Sequence, residues 1–568
     1  MIEVAIPLLI LGLTIALSWP LGRYLRWAMD PEQPGPRRAA FERGCRRLLG
    51  RGAAGAEDAE QTWPAYLRSM LVFNLLMFVA VYVIFTTQGA HPLNPDGKSA
   101  LEPSLAFNTA ASFTSNTNLQ HYSGEQALSY FSQLFAILWL QFVSAATGIA
   151  AVTALCRGLA GRTRLGDFYL DLARATALVL LPLSFVVALL LVAGGVPATL
   201  DGAAVVQTLE GATQTIARGP VAAVVAIKQL GTNGGGYFGP NSTHPFENPS
   251  FWTNVLEGLC ILLIPMATVW MFGRITARMR HAAVVFGVML VLLLGFVGAA
   301  AALESRPTAA FAGLPVADRL NLEGKELRFG PTAGPLWAVS TTATSNGSVN
   351  CMHDSLNPLT GILPLAGMWL NVIFGGVGVG FINMFLFVVI TVFIAGLMVG
   401  RTPEYLGRKV EAREMKLAVL ALLAHPLFII GGTALFACTS WGAGRVANPG
   451  SHGLSEIVYE LSSAAANNGS GFEGLGDDTV PWNIVTGAIM LLARFIPIVA
   501  PLAIAGLLAA KRATPESSGT FRVDTPLFGV ILLGVLLIVG ALLFLPLAVL
   551  GPIAEHLSQP GALATGGR

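Results

Sequence analysis

The sequence predicts an all-α polytopic membrane protein with four pseudosymmetric span–pore loop–span repeats, and three observations support this fold class. First, 54% of the 568 residues are hydrophobic and only 12% are charged, whereas a soluble protein carries about 25% charged residues. Second, ten stretches are apolar and long enough to cross a bilayer. Third, a cluster of Asn, Gly, Ser and Thr residues recurs four times between them.

A membrane-spanning helix needs about 20 apolar residues, and ten stretches of the chain meet this requirement. The seventh is too long for one straight helix and carries Gly375, Gly376, Gly378 and Gly380 in its middle. A glycine cluster at membrane depth is typical of a broken helix that is buried or faces water. A tight helix contact through small residues is the alternative. The ten stretches lie near residues 4–22, 68–87, 131–156, 171–195, 251–273, 281–303, 361–399, 415–438, 482–510 and 525–550.

The Lys and Arg residues are unevenly distributed between the spans. Five alternate segments hold 24 of the 34, and the four segments between them hold 8. Because cytoplasmic loops are rich in Lys and Arg, the five segments are predicted to be cytoplasmic and both termini extracytoplasmic. The longest of them indicates a topology signal and a surface for membrane lipid, not for nucleic acid. The five segments are 23–68, 157–174, 274–280, 401–416 and 511–522.

The cysteines form no CxxC pair and show no metal-ligand spacing, so we expect them to be small residues packed among helices. Cys351 and Cys438 are predicted to lie on the same outer side, and a disulfide between them is the alternative. The five cysteines are Cys45, Cys156, Cys260, Cys351 and Cys438.

Each of the four outer segments between spans has a short apolar stretch, then a polar cluster, then the next span. Aligning Asn116, Asn233, Asn346 and Asn468 gives spacings of 117, 113 and 122 residues, and a near-constant period indicates an internal repeat. Each copy crosses the membrane twice, so all four share one orientation and can surround a common axis. The predicted units are 1–63 (first span and basic loop), the repeats 64–156, 157–273, 274–400 and 401–512, and 513–568 (last span and tail).

The composition of the clusters favours a site for a dehydrated monovalent cation. Potassium filters are rings of backbone carbonyls from four loops, each preceded by a short helix, and glycine permits the backbone angles that such loops need. The clusters carry almost no formal charge, whereas a divalent site would show carboxylates. A single cluster of this kind is more often an ordinary turn between helices. Four equally spaced copies favour the filter.

The runs Thr114–Asn118, Gly231–Gly236, Asn241–Pro249, Thr344–Ser348 and Asn467–Gly471 resemble those of Kdp A subunits, the potassium-binding subunits of ATP-driven potassium uptake pumps. The resemblance covers essentially the whole chain, and it implies four potassium-channel-like repeats. It also implies a selectivity filter at Thr114, Ser115, Asn116, Thr117 and Asn118; Gly231, Thr232, Asn233, Gly234 and Gly235; Thr344, Ser345, Asn346, Gly347 and Ser348; and Ala466, Asn467, Asn468, Gly469 and Ser470.

Two cations lie in or near apolar stretches. Arg494 is in the middle of the ninth span, where a charge usually faces a cavity or a partner; snorkelling to an interface is the alternative. The resemblance implies that Arg494 lies below the filter as an electrostatic gate, and we group Gly375, Gly376 and Gly378 of the broken seventh span with it as gate or cavity residues. Lys228 precedes the second cluster and is either part of its pore helix or an ordinary interfacial lysine.

The chain has no visible energy source. It contains no Asp-Lys-Thr-Gly phosphorylation motif and no metalloprotease or hydrolase motif, and no soluble segment is as long as the 100–150 residues typical of a domain. We therefore expect no catalytic residues and no enzyme activity by the chain alone. The resemblance implies a potassium ion as the only ligand. It also implies a P-type ATPase subunit (Kdp B) and small accessory subunits (Kdp C and Kdp F) as partners in the bacterial inner membrane.

Two alternatives are a passive potassium channel and an ion-coupled secondary potassium transporter. Ten spans argue against both, because four repeats need only eight, and the run from His244 to Pro249 points the same way. A membrane enzyme is a third class, but the few ionisable residues in the spans form no acid–base pair in the sequence.

Overall fold

The computed structural model describes residues 2–31, 35–48, 60–308, 311, 315, 320–398, 400–514 and 521–559. The predictions that concern both chain ends and the middle of the first basic loop therefore fall partly outside the described residues. Within them, ten helices are long and apolar enough to cross a membrane, as predicted. They are Pro7–Met29, Trp63–Ala90, Tyr130–Leu159, Phe168–Ala193, Phe251–Ile275, Met279–Glu304, Val379–Met398, Ala412–Ala437, Val480–Ala509 and Pro526–Ser558. The first helix extends from Ile2 to Met29, seven residues beyond the predicted end.

Three of the ten helices contain a wider, π-helical turn, at Gln133–Leu138, Ala175–Leu180 and Val549–Ile553. The strands form three antiparallel pairs: Gln61–Thr62 with Arg164–Gly166, Ala204–Gln207 with Thr213–Ile216, and Glu404–Tyr405 with Arg408–Lys409. Besides the four short helices that precede the polar clusters, the other helices among the described residues are Pro36–Leu48, Gly124–Ala127, Asn241–Thr243, His353–Ser355, Pro358–Leu370 and Ser440–Ala443, and the last turn of Trp63–Ala90, Gln88–Ala90, is a 3₁₀ helix.

Four successive parts of the chain share the order long helix, short helix, long helix, as expected for the repeats. Each short helix is almost wholly buried, and in all but the second its residues are mostly small or polar. At the start of the first, the Glu102 carboxylate accepts a hydrogen bond from the Leu105 backbone N–H at 2.9 Å, which satisfies one free donor of the helix end. We call these elements short helices 1 to 4; they are Pro103–Thr114, Val221–Leu230, Ala333–Ala343 and Ser451–Ala466.

Within each repeat the long helix that follows the short helix is the more buried of the two. In an apolar 18-residue stretch of each helix, 78, 78, 72 and 61% of the residues are buried in the second helices, in chain order, against 22, 33, 44 and 28% in the first helices. The second helices therefore surround the centre and the first helices form the periphery. The two extra helices lie outside this arrangement: Ile2–Met29 packs along Phe251–Ile275, and Pro526–Ala548 packs against Met279–Glu304 and Val379–Met398.

The second long helix of repeat 3 is broken. Its first part, Pro358–Leu370, ends at Asn371 in the left-handed conformation (φ 49°), and the helix resumes at Val379. Residues 371–378, which we call the break segment, fold so tightly that a Cβ on Gly375 would overlap Gly380 and the reverse. The predicted break is confirmed, and a continuous helix with a small-residue contact is wrong.

All five cysteines, each of them described, are free thiols. Cys351 is buried and Cys438 is exposed, so the alternative of a disulfide between them is wrong.

Candidate functional site

The four polar clusters, which we call loops 1 to 4 in chain order, have the same backbone conformation where each follows its short helix. In every loop one backbone N–H donates to the carbonyl five residues earlier, at 2.8–3.1 Å. The residues on either side of that donor have left-handed φ angles, which favour Gly and Asn. The donors are Thr117, Asn233, Asn346 and Asn468, and the left-handed pairs are Asn116 and Asn118, Thr232 and Gly234, Ser345 and Gly347, and Asn467 and Gly469.

This equivalence corrects the repeat alignment by one residue in the first loop. Thr117, not Asn116, corresponds to Asn233, Asn346 and Asn468. The alignment by residue type was misled because loop 1 has Asn at both left-handed positions, whereas loops 2 and 3 have Thr or Ser followed by Gly, and loop 4 has Asn followed by Gly. The window 114–118 therefore corresponds to 230–234, 343–347 and 465–469, one residue earlier than the predicted windows in loops 2 to 4.

The four loops meet in cyclic order. A Cβ on Gly234 would overlap the Asn346 carbonyl oxygen, one on Gly347 the Asn468 carbonyl oxygen, and one on Gly469 the Thr117 carbonyl oxygen. These contacts join loop 2 to 3, 3 to 4, and 4 to 1.

The fourth contact of the cycle uses a side chain instead of a glycine. Asn118 occupies the position of the three glycines, and its amide Nδ2 donates to the Asn233 carbonyl. Loop 1 thus joins loop 2, and the ring is closed.

Side-chain amides add further hydrogen bonds between neighbouring loops. Asn233 Nδ2 donates to Asn116 Oδ1 at 2.8 Å, and Asn467 Nδ2 donates to Thr117 Oγ1 at 2.9 Å. Asn468 Nδ2 donates to the Thr341 carbonyl at 2.9 Å. The structure brings all twenty predicted filter residues into this ring and its edge, and all but Gly469 are buried.

The break segment contacts three of the four loops. The Val377 backbone N–H donates to Thr232 Oγ1 at 2.8 Å, which joins it to loop 2. The Ser345 hydroxyl donates to Asn371 Oδ1 at 2.8 Å, and Asn371 Nδ2 donates to the Ala466 carbonyl at 3.3 Å. Asn371 thereby connects loops 3 and 4.

Arg494 lies beside the break segment. Its side chain is buried, with 3% of the residue exposed, so snorkelling to an interface is wrong. A Cβ on Gly376 would lie 3.7 Å from Arg494 Nη1, and one on Gly148 would lie 3.4 Å from Nη2. Among the described residues, Nη2 has no hydrogen-bond partner. Gly376 also faces loops 2 and 3, since its Cβ would be 3.8 Å from Thr232 Oγ1 and 3.7 Å from Ser345 Cβ.

Lys228 is wholly buried at the end of short helix 2, so the interpretation as an interfacial lysine is wrong. Its Nζ donates to Asn241 Oδ1 at 2.7 Å and to Ser242 Oγ at 2.6 Å, and it forms an ion pair with Glu247. The run from Asn241 to Pro249 therefore supplies the partners of this buried cation. Glu247 was not singled out from the sequence, although an acidic residue near a buried lysine is the signal that would have found it.

A family model for the potassium-transporting ATPase A subunit (KdpA) matches residues 8–557. The chain belongs to the KdpA family. It is thus a multi-pass membrane protein and a subunit of a potassium-transporting ATPase complex, and the ion that its family transports is K⁺.

In this KdpA-family chain, His121, which follows loop 1 in the sequence, belongs to a second cluster of polar side chains. His121 Nε2 lies 3.1 Å from Glu460 Oε1 and 3.8 Å from Asp477 Oδ2, and its Nδ1 lies 2.7 Å from Asn483 Oδ1. Burial lowers the pKa of His121, but Asp477 and Glu460 outweigh burial and raise it to about 9. The ligand atoms of His121, Glu460 and Asp477 lie close enough together to hold a metal ion. No spacing in the sequence predicts this group, because His121 and Glu460 are 339 residues apart.

A third group joins the C-terminal helix to repeats 3 and 4. His452 lies between Asp354 at 2.8 Å and Glu555 at 3.0 Å, with Glu456 at 4.0 Å. Burial lowers the pKa of His452, and the carboxylates of Asp354 and Glu555 outweigh it and raise the value to about 10. Asp354, His452 and Glu456 form a second cluster, among the residues that the structure describes, whose ligand atoms lie close enough together to hold a metal ion.

Proposed function

We propose that this KdpA-family chain is the potassium-binding and potassium-translocating subunit of an ATP-driven, high-affinity import complex. The chain takes up extracytoplasmic K⁺ in a selectivity filter formed by the four loops. It then delivers the ion to a partner P-type ATPase subunit, which hydrolyses ATP.

The observation that carries this proposal is the closed ring of four loops with one backbone conformation. A dehydrated potassium ion needs oxygen ligands on all sides, and four loops in cyclic contact supply backbone carbonyls around one axis. The ring holds no carboxylate, which suits a monovalent ion better than a divalent one. The more buried second helices surround the same centre.

Arg494 and the break segment are proposed as the barrier on the inner side of the filter. A buried guanidinium that forms no ion pair with a described carboxylate repels a cation that leaves the ring, and Gly376, which shares the break segment with Gly375 and Gly378, lies between it and loops 2 and 3. Such a barrier would prevent free passage along the axis, so the ion would move inward only when the partner subunit accepts it.

The partners are proposed from the family, whose members are subunits of a potassium-transporting ATPase complex. The sequence carries no phosphorylation motif and no segment of the size of a nucleotide-binding domain, which supports a separate P-type ATPase subunit (Kdp B) as the source of energy. The resemblance to Kdp A subunits also implies the small subunits Kdp C and Kdp F and the bacterial inner membrane, and the distribution of Lys and Arg supports extracytoplasmic termini.

The test is to purify the tagged chain gently from its native membrane and to measure ATP hydrolysis with K⁺ and with Na⁺. We expect a co-purifying partner and hydrolysis that K⁺ stimulates at a far lower concentration than Na⁺ does. A chain that purifies without a partner and conducts K⁺ in liposomes would instead establish a passive channel. Potassium uptake that requires an ion gradient and no ATP would establish a secondary transporter.

A further inference from the structure

The second loop differs from the other three in how its backbone carbonyls are hydrogen-bonded. Six consecutive carbonyls, from Gly231 to Gly236, each accept a hydrogen bond from a side-chain amide. Two amides come from loop 1: Asn116 Nδ2 donates to the carbonyls of Gly231 at 3.2 Å and Thr232 at 3.0 Å, and Asn118 Nδ2 donates to that of Asn233. Asn241 Nδ2 donates to the Gly234 carbonyl at 2.7 Å. Gln141 Nε2 donates to the Gly235 carbonyl at 3.1 Å, and Gln120 Nε2 donates to the Gly236 carbonyl at 3.2 Å.

In the other loops the corresponding carbonyls are largely unoccupied. Across the equivalent six-residue stretches 115–120, 344–349 and 466–471, one carbonyl in each accepts a hydrogen bond from the residues that the structure describes. Leu119 accepts from the Ser112 hydroxyl at 3.0 Å, Ser348 from the Trp337 indole at 2.9 Å, and Ala466 from Asn371 at 3.3 Å.

The donors to loop 2 are themselves held in place. Asn241 Oδ1 accepts from Lys228 Nζ at 2.7 Å, so its amide nitrogen must face the Gly234 carbonyl. Asn116 Oδ1 accepts from the Ser144 hydroxyl at 2.8 Å. Gln141 is wholly buried on the helix Tyr130–Leu159. These hydrogen bonds leave loop 2 little freedom to move.

A carbonyl that accepts an amide proton is fixed in direction, and part of its negative charge is already engaged. An ion in the ring therefore meets unequal ligands: carbonyls of loops 1, 3 and 4 that are mostly free of hydrogen bonds, and carbonyls of loop 2 that are all held by side-chain amides. A ring with one fixed side cannot contract fully around a smaller ion, whereas flexible carbonyls can.

We propose that Gln141 and Asn241 are specificity-determining positioning residues, which act through the carbonyls of Gly235 and Gly234 and set the size of the ring against smaller cations. This inference rests on the proposed function of the ring as a potassium filter. Neither side chain needs to touch the ion, because each acts on it through a backbone oxygen of loop 2.

The test uses the intact complex with Gln141→Leu, which keeps the volume and removes the donor. Gln133→Leu is the matched control. Gln133 lies two turns earlier in the same membrane-spanning helix and is equally buried, but neither polar atom of its side chain has a hydrogen-bond partner among the described residues. The readout is the ratio of the apparent KM for Na⁺ and for Rb⁺ to that for K⁺ in ATP hydrolysis, together with the maximal rate.

We expect Gln141→Leu to lower the Na⁺-to-K⁺ KM ratio by about fivefold, the effect of one net hydrogen bond, while the maximal rate stays near that of Gln133→Leu. A purely structural role would change the maximal rate or the yield in both variants and leave the ratio unchanged. An unchanged ratio in a selective, potassium-stimulated complex would overturn this inference alone. A wild-type complex without potassium-stimulated hydrolysis would overturn the proposed function, and this inference with it.

Asn241→Asp provides the second variant if Gln141→Leu does not assemble. The aspartate keeps an oxygen for Lys228 and replaces the donor to the Gly234 carbonyl by a negatively charged oxygen, which repels that carbonyl. We expect the same lowering of the Na⁺-to-K⁺ ratio, and an unchanged ratio in this variant would also overturn the proposal.

Discussion

Gly234 illustrates how one residue position controls the contact between two loops. Its φ is 77°, a left-handed value that disfavours a side chain, and a Cβ there would overlap the Asn346 carbonyl and the Ser348 backbone nitrogen. The neighbouring loop has no flexible side-chain end that could give way at this point. A side chain at Gly234 must therefore push loops 2 and 3 apart.

We predict that Gly234→Asp weakens the apparent affinity for K⁺ at least tenfold, a change of about 1.4 kcal/mol or more, and reduces selectivity against Na⁺. The measurement is the KM for K⁺-stimulated ATP hydrolysis. Gly211→Asp is the control, because Gly211 also has a left-handed φ (83°) but no atom within 4 Å of its Cβ position. Wild-type affinity and selectivity in Gly234→Asp would show that loop 2 does not bind the ion.

Arg494 is the residue for which charge, more than shape, is expected to matter. Removing the guanidinium removes a repulsive charge from a buried position. We predict that Arg494→Ala increases passive potassium leak through the reconstituted complex about tenfold or more and loosens the link between ATP hydrolysis and transport. Potassium flux into liposomes without ATP is the measurement, with the exposed Arg445→Ala as the control. If passive leak and transport in Arg494→Ala equal those of the wild type, Arg494 is not part of the barrier.

At the scale of elements, the break segment depends on a few contacts with the loops above it. Asn371 has a left-handed φ of 49° and connects Ser345 to Ala466 through its side chain. Glycine accepts the same backbone angle, so Asn371→Gly removes only the side chain.

We predict that Asn371→Gly lowers the free energy of unfolding by about 1–2 kcal/mol and raises the KM for K⁺, because loops 3 and 4 lose a shared partner. Asn94→Gly is the control, since Asn94 also makes two hydrogen bonds, both with Lys98 in a local turn. The measurements are thermal unfolding and the KM for K⁺, and only Asn371→Gly is expected to change the KM. If both variants lose stability and neither changes KM, the break segment does not position the loops.

The elements themselves were largely predictable from the sequence. Twenty-residue apolar stretches leave little choice but membrane-spanning helices, and the glycines from Gly375 to Gly380 predicted the break. The one-residue shift in loop 1 was not predictable, because Asn118 takes a left-handed conformation that the other loops assign to glycine. The partners of Lys228 and His121 were not predictable either, since helix packing, not spacing along the chain, brings them together.

At the scale of the whole molecule, the contact between repeat 4 and repeat 1 is the one that completes the ring in the order in which the chain is made. Asn467 donates to Thr117 in the ring, and Asn108 of short helix 1 donates to Thr486 Oγ1 at 2.8 Å. Beside them, His121 joins Glu460 and Asn483. We call this contact between repeats 1 and 4 the seam. Of the four contacts between neighbouring loops, it joins the residues that are farthest apart in the sequence.

We predict that the stability of the seam falls as the pH rises from about 6.5 to above 9. The folded-state pKa of His121, about 9, is above its ordinary value of 6.5. Its contribution, up to about 3 kcal/mol, is therefore complete below pH 6.5 and is lost as the pH passes 9. The measurement is thermal unfolding of the complex between pH 6.5 and 9.5.

His121→Gln should flatten this pH dependence. His91→Gln is the control, because His91 stacks on Phe131 and forms no ion pair with any residue that the structure describes. An equal slope in wild type and His121→Gln would mean that the seam does not depend on the charge of this histidine.

The seam also bears on the order in which the protein is made. A nascent chain that has inserted only repeats 1 to 3 has three loops in contact and two unmatched edges, one at Thr117 and one at Gly347. The ring becomes complete only after short helix 4 and the helix Val480–Ala509 have entered the membrane. Assembly of the ring is therefore among the last steps of membrane insertion, and a chain truncated before residue 451 has no closed ring.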